Sequence, residues 1–272
     1  MIQDISGVFD NQIRWQAPKP EDLVLCFQHR KVYIKSDGEA FSYPTVSKLP
    51  ETSALQYLFS IDERAYYLLE GDAPEIEGYH WEDTAKLRGL SASTELFVCG
   101  AAESLFRWYR ANRFCGSCAE AMEKSRIERA MVCPKCGSTV YPKICPAVIA
   151  AVYDGERLLL TRYKDRPFKK YALVAGFNEI GESIEQTVHR EVLEETGLRV
   201  KNLHFYKSQP WVFTDTLLMG FYAELDGSDE IRIQEDELAE GRWFSRDELP
   251  TDHSGISLTG EMIERFRDGI SF

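Results

Sequence analysis

With 272 residues, the chain exceeds the span over which one hydrophobic core stays comfortable, so two domains and a small insert are expected. Lys and Arg number 32 against 44 Asp and Glu, and a net charge of −12 argues against coating nucleic acid through bulk electrostatics while leaving a small anionic substrate held through metal ions possible. Seven cysteines, an odd count with four in two closely spaced pairs, point to metal and not to disulfides.

The chain begins MIQDISGVFDNQIRW, with acids and amides where a signal peptide needs a basic start and an apolar run. No stretch approaches the ~20 apolar residues that cross a bilayer, so a cytoplasmic location and no membrane partner are expected. Up to about residue 98, short apolar runs alternate with turn residues: LVLCF from 23, KVYIKS from 31, EAFSY from 39, ALQYLFSID from 54 and RAYYLLEG from 64. Enrichment in Val, Tyr, Phe and Leu with breaks at AspGly, Pro and Gly predicts a small, mostly β domain. His29 and His80 stand alone and read as ordinary polar residues, and Cys26 and Cys99 as core filling. Arg88 is a candidate phosphate contact, with a plain surface arginine as the alternative.

From about Ser93 to Asn112 the pattern turns helical, with Leu96, Ala101, Leu105, Trp108 and Tyr109 able to line one face. Arg107, Arg110 and Arg113 read as a solvated basic face before they read as a grip on phosphate or RNA. Next come Cys115, Cys118, Cys133 and Cys136, two CxxC knuckles with fourteen residues between them. Two knuckles complete a tetrahedral four-thiolate site suited to Zn²⁺, with no position left for water, so the zinc is expected to be structural. A segment this short buries little core, and the metal would supply its folding energy.

YPKICPAVIAAVYDGERLLLTRY then reads as two strands joined by an AspGly turn. The stretch from Gly176 to Leu198, GFNEIGESIEQTVHREVLEETGL, contains a helix predicted from about Ile184 to Thr196. Ser183 with Gln186 forms a capping-box pattern, and Gly197 supplies a left-handed stop. At about 100° per residue, Ile184, Val188 and Val192 share one stripe with Glu191 and Glu195. Carboxylates aimed at a core are costly unless neutralised, and Glu194 adds like charge beside them, so something cationic is expected there. A solvated acidic face is the plainer alternative. Gly176, Glu182, Arg190, Glu191, Glu194, Glu195 and Gly197 stand at the spacing of the Nudix box of nucleoside diphosphate hydrolases, which this stretch resembles with every fixed position filled. The resemblance implies Mg²⁺ or Mn²⁺ held by Glu191, Glu194 and Glu195, with Glu195 favoured as general base and the carbonyl of Ala175 completing the site. Glu182 and Arg190 are read as supports that tie the loop to the helix.

Beyond the box, SQPWVF starts at Ser208 and a buried strand is predicted from Thr216 to Leu225. An acidic stretch follows, then strand character at RWF from 242 and a helix near 260 to 268. The β-rich start, the four-cysteine ribbon, YPKICPAVI, AGF leading into the box, and SQPW after it together resemble the NADH pyrophosphatase branch of the Nudix superfamily. What the resemblance implies is an α+β chain: a Nudix α/β/α sandwich with a mixed sheet, preceded by a β-rich, degenerate Nudix-like domain and a zinc ribbon. The expected boundaries are 1–98, a linking helix at 99–112, the ribbon at 113–141 and the catalytic domain at 142–272.

Carried over position by position, the branch's substrate site implies a loop of Gln209, Pro210, Trp211, Val212, Phe213, Thr214, Asp215 and Thr216, with Phe177 and Tyr141 as platforms for the nicotinamide ring. Arg88, Glu128 and Thr259 would add contacts, and Glu237 an acidic metal ligand outside the box. Trp211 and Phe213 could equally be core, and Tyr141 could pack a turn. The branch usually continues SQPW with PFPxS, so two loop prolines are missing here, and Ala119 stands where a glycine often follows the first knuckle. The implied activity is hydrolysis of the diphosphate bond of NAD(H) to nicotinamide mononucleotide and AMP, and removal of NAD caps from RNA, by a homodimer. The alternatives are a broad hydrolase of ADP-ribose or dinucleoside polyphosphates, and a nucleotide-binding regulator with an inactive domain.

Overall fold

The computed structural model describes residues 1–51, 53–88, 94–164, 170–251 and 255–270. These fall into two compact units, one made of residues 2–143 with 212–214, the other of Met1 with 144–211 and 215–272. Among the described residues no helix is long and apolar enough to cross a membrane.

The first unit carries the strands that the apolar runs predict: β1 (Phe9–Asp10), β2 (Leu23–Leu25), β3 (Phe27–Gln28), β4 (Lys31–Ser36), β5 (Phe41–Ser42), β6 (Ala54–Ile61), β7 (Arg64–Glu70) and β8 (His80–Asp83). One sheet runs β1-β6-β7-β2; in the other, β4 sits between β3 and β8 with β5 at its far end. Turns follow the local chemistry: Asp37 accepts N–H bonds from Glu39 and Ala40 while Gly38 takes φ +97°, and Asp62 turns the β6–β7 hairpin at φ +52°. Cys26 and Cys99 are both buried, as core filling requires. After β8, Asp83 caps α1 (Thr84–Leu87) through the Ala85 N–H. Helix α2 (Thr94–Ala111) buries Leu96, Leu105 and Trp108 as predicted, and adds Phe97, Val98, Cys99 and Ala102, so its apolar face is wider than the expected stripe.

Three two-residue strands, β9 (Glu123–Lys124), β10 (Met131–Val132) and β11 (Thr139–Val140), form the ribbon, ordered β11-β10-β9. Its ties to the β sheet are polar. Lys124 pairs with Glu70, and the Arg129 guanidinium donates to the carbonyls of Asn11 (3.1 Å) and Leu58.

In the second unit, β12 (Cys145–Asp154) and β13 (Arg157–Tyr163) form the expected hairpin, followed by β14 (Val174–Phe177), α3 (Ile184–Thr196), β15 (Val200–Trp211), β16 (Thr216–Leu225), β17 (Leu238–Ser245) and α4 (Leu258–Arg267). The sheet is mixed, in the order β15-β16-β12-β13-β17, with β12 parallel to β16 and β14 added antiparallel to β12. Alternation along β12 divides two cores: Val148, Ala150 and Val152 pack with Val188 and Val192 of α3, whereas Ile149 and Ala151 pack with Leu258, Met262, Ile263 and Phe266 of α4. Helix, sheet and helix therefore form the three layers of an α/β/α sandwich. Strand β15 was not expected before Ser208. Two register shifts, between Lys201 and His204 and between Phe205 and Lys207, break its alternation, and Pro210 is tolerated because β15 is an edge strand.

Candidate active site

Helix α3 is delimited as its sequence dictates. The Gln186 N–H donates to Ser183 Oγ (3.3 Å), the Ser183 N–H donates back to Gln186 Oε1 (2.8 Å), and Gly197 closes the helix at φ +69°. The loop before it is braced around Glu182. Arg190 donates to both carboxylate oxygens (2.6 and 2.9 Å), and Glu182 also accepts from the Glu179 N–H (3.1 Å) and the Thr187 hydroxyl (3.0 Å). The Arg190 guanidinium accordingly holds the Glu182 carboxyl down to about 2. Asn178 donates to Thr187 Oγ1 at 2.7 Å and joins the same brace.

The three box carboxylates are not equivalent. Glu195 is only 2 % exposed, Glu191 is largely buried, and the Glu194 side chain is 54 % exposed. Glu191 lies against Gly176: a Cβ there would stand 1.9 Å from its Cδ and about as close to both oxygens, so only glycine admits this carboxylate over β14. Burial pushes the Glu191 carboxyl up, the nearby Arg190 pulls it down, and the charges of Glu194 and Glu237 push it up again. The expected cation is in part Arg190 itself, whose Nη1 donates to Glu191 Oε1 (2.7 Å) and Glu194 Oε2 (3.0 Å) while Nη2 reaches the Phe177 carbonyl (2.9 Å). Glu237 arrives from the acidic stretch, which is laid onto the end of α3 by N–H bonds from Arg232 to the Thr196 carbonyl (2.8 Å) and from Gln234 to that of Glu195 (3.0 Å). Ala175 sits in β14 opposite Ile149. Glu191, Glu194, Glu195 and Glu237 are all oxygen donors, as a hard divalent cation requires, and the Gly176 seat holds one of them in place.

The expected substrate residues divide between the two units. In the second, Phe177 ends β14 and is exposed, Pro210 and Trp211 end β15 opposite Leu217 and Thr216, and Thr259 lies in the first turn of α4. Gln209 is fully buried: its Nε2 donates to the Ile256 carbonyl (2.9 Å) and its Oε1 accepts from the Leu258 N–H (2.7 Å). Its amide thus fastens β15 to the start of α4. Asp215, at φ +57°, accepts the Cys145 N–H through its carbonyl at 2.7 Å. In the first unit, the Tyr141 hydroxyl donates to Glu128 Oε1 at 3.0 Å, which brings those two expected contacts together on the ribbon. Val212, Phe213 and Thr214 also belong to this unit, where Phe213 is buried and the Arg88 guanidinium lies 4.1 Å from its ring centre. Arg88 is therefore partly buried against an aromatic ring, and not a plain surface arginine.

The four cysteines converge. Their sulfurs lie within 4.8 Å of one another, with 3.6 Å between Cys115 and Cys136 and 3.5 Å between Cys118 and Cys133. Sulfurs around a tetrahedral ion at about 2.3 Å stand roughly 3.8 Å apart, so the cage fits zinc and is too wide for disulfides. The knuckles repeat each other. Ala119 and Gly137 both take left-handed φ (+59° and +76°) and return an N–H to the first cysteine of their pair, at 2.9 and 3.0 Å. N–H groups of Ser117 and Cys136 point at the sulfurs of Cys115 and Cys133 and favour their thiolates. Among the described residues this is the one set of acidic or sulfur ligands that converges so tightly.

Residues 143–266 match the NUDIX domain, and residues 110–141 match the NADH pyrophosphatase zinc ribbon domain. A protein of Pseudomonas aeruginosa named NAD-capped RNA hydrolase NudC is 39 % identical over 201 residues, covering 74 % of this chain and 72 % of that one. The chain belongs to the Nudix family, in its NADH pyrophosphatase branch. Proteins of the same name from Pectobacterium carotovorum and Actinobacillus succinogenes are each 42 % identical, covering 62 % and 64 % of this chain and 65 % and 73 % of theirs. Within this Nudix protein the four cysteines form the structural zinc site of the ribbon. What the sequence reading missed is the Gly176 seat, the reach of Arg190 to Glu191 and Glu194, and the use of Gln209 inside the fold. The first was legible in principle, since Glu191 and the glycine that opens the box both stand at fixed positions.

Proposed function

We propose that this Nudix protein hydrolyses the diphosphate bond of NAD(H) to nicotinamide mononucleotide and AMP, and removes NAD caps from RNA 5′ ends, where the same bond occurs. The observation that carries the reading is the pair of inward carboxylates, Glu195 at 2 % exposure and Glu191 seated over Gly176, on one face of a helix in a complete Nudix box. Glu191, Glu194, Glu195, Glu237 and the Ala175 carbonyl would hold Mg²⁺ or Mn²⁺, which when bound neutralises phosphate charge and polarises the phosphoryl oxygens. Glu195, fixed by burial, accepts the proton of the attacking water at its carboxylate. Arg190 keeps the helix and the loop in register through Glu182 and the Phe177 carbonyl. Phe177, Tyr141, Glu128, Arg88, Thr259 and the 209–216 loop are the residues assigned to the substrate. Action as a homodimer in the cytoplasm belongs to the same reading.

Two features support NAD(H) over the alternatives. The SQPW sequence is retained at the end of β15, and the box keeps every glutamate, which a nucleotide-binding regulator would not need. Initial rates on NADH, NAD-capped RNA, ADP-ribose and a diadenosine polyphosphate test the assignment. NADH and capped RNA should be turned over with the highest kcat/KM. Faster cleavage of ADP-ribose or of the diadenosine compound would replace the proposal with a broad diphosphate hydrolase.

A further inference from the structure

Helix α2 contains a glycine, Gly100, at its seventh position of eighteen. Glycine inside a helix is disfavoured against alanine, so its presence there calls for a close approach. The approach is made by the tip of the 209–216 loop. A Cβ on Gly100 would stand 2.3 Å from Val212 Cγ2, 3.2 Å from Val212 Cβ and 3.3 Å from Phe213 Cε1. Val212 is β-branched and stiff about χ1, so it cannot swing clear without moving backbone. Beside it, Phe213 is 7 % exposed and is capped by the Arg88 guanidinium, whose Nε is buried with no hydrogen-bond partner among the described residues. Arg88 is partly desolvated here and is balanced at a distance by the charge of Glu103. The tip is therefore packed on two sides within its own unit, by Gly100 and by Arg88.

Resting on the dinucleotide-hydrolase reading above, we propose that Gly100 is a positioning residue for substrate selection: it forms a socket for Val212 and Phe213 that fixes the loop in the absence of the two prolines. Proline would hold the loop through its locked φ, whereas this chain holds it through packing. Gly100 touches no substrate. It acts through Val212 and Phe213 on where the loop stands.

The test uses the full-length protein with zinc retained, comparing wild type, Gly100→Ala and Gly100→Ala with Val212→Ala. In the single variant KM for NADH should rise about tenfold with kcat changed less than about twofold, the size expected when a binding element shifts by a fraction of an ångström. KM for ADP-ribose, which lacks the nicotinamide, should move less, so selectivity falls. Removing the two Val212 methyls makes room for the added Cβ; because Val212 is itself assigned to the substrate, that rescue is read on the loop and not on KM. Hydrogen exchange read by mass spectrometry gives an activity-independent arm, in which amides of 209–216 exchange faster in Gly100→Ala and are protected again in the double variant, while α3 is unchanged. Unaltered KM in Gly100→Ala, unaltered exchange, or a double variant whose loop amides exchange as fast as in the single one would overturn the socket. Wild type inactive on NADH would sink the functional reading instead, and the exchange arm would still decide the socket.

Discussion

The zinc ribbon and helix α3 hold their cysteines and their glutamates in opposite ways. In the ribbon four sulfurs already face one another, on two knuckles with the same backbone bonds. On α3 the carboxylates run from almost fully buried to half exposed, and Arg190 lies between two of them. A closed, like-for-like cage suits an ion that stays and stabilises; an open, uneven set of oxygens suits ions that also meet a substrate. On the proposed function, side-chain geometry separates a structural site from one that takes part in the reaction.

The sharpest way to break that contrast is Glu195→Gln. Loss of the proposed base should lower kcat by about 10²–10⁴ while nucleotide affinity changes little, and turnover near wild type would remove Glu195 from the base role. Stripping zinc comes next in size. A chelator should open residues 115–136 to protease, with a matching change in circular dichroism, before the sandwich is affected, because three two-residue strands have little core of their own. First cleavage inside the box would contradict this. Gly176→Ala should displace Glu191 and raise the Mg²⁺ or Mn²⁺ concentration for half-maximal rate by about 10–100-fold, the range seen when support of a ligand is lost. An unchanged activation curve would show that the seat does not matter. The smallest effect is expected from Ala119→Gly. It relieves a left-handed alanine and should add up to about 1 kcal/mol to the stability of the ribbon, read as greater resistance to chelator; a loss would mean that Ala119 packs in a way its backbone does not reveal.

Much of this was legible in the sequence where local chemistry and fold agree. The capping box and Gly197 place α3 to the residue, the paired CxxC knuckles place the zinc cage, and unbroken apolar runs place β6, β7, β12 and β16. Legibility fails where tertiary packing decides. Strand β15 hides behind two bulges that shift its alternation. Nothing local to Gln209 says that the fold sets its amide against the backbone of 256 and 258. The exposure of Glu194, by contrast, was legible: it stands about 100° round the helix from Glu195, off the stripe that Glu191 and Glu195 share. Gly100 carried a signal, a glycine inside a helical pattern, but nothing local says which segment approaches it.

The most direct measurement is the mass of the products after incubation with NADH, with and without Mg²⁺ or Mn²⁺. Reduced nicotinamide mononucleotide and AMP should form only when the cation is present, and should nearly vanish in Glu195→Gln. Intact NADH in the presence of the cation, or release of nicotinamide through cleavage of its glycosidic bond, would contradict the account.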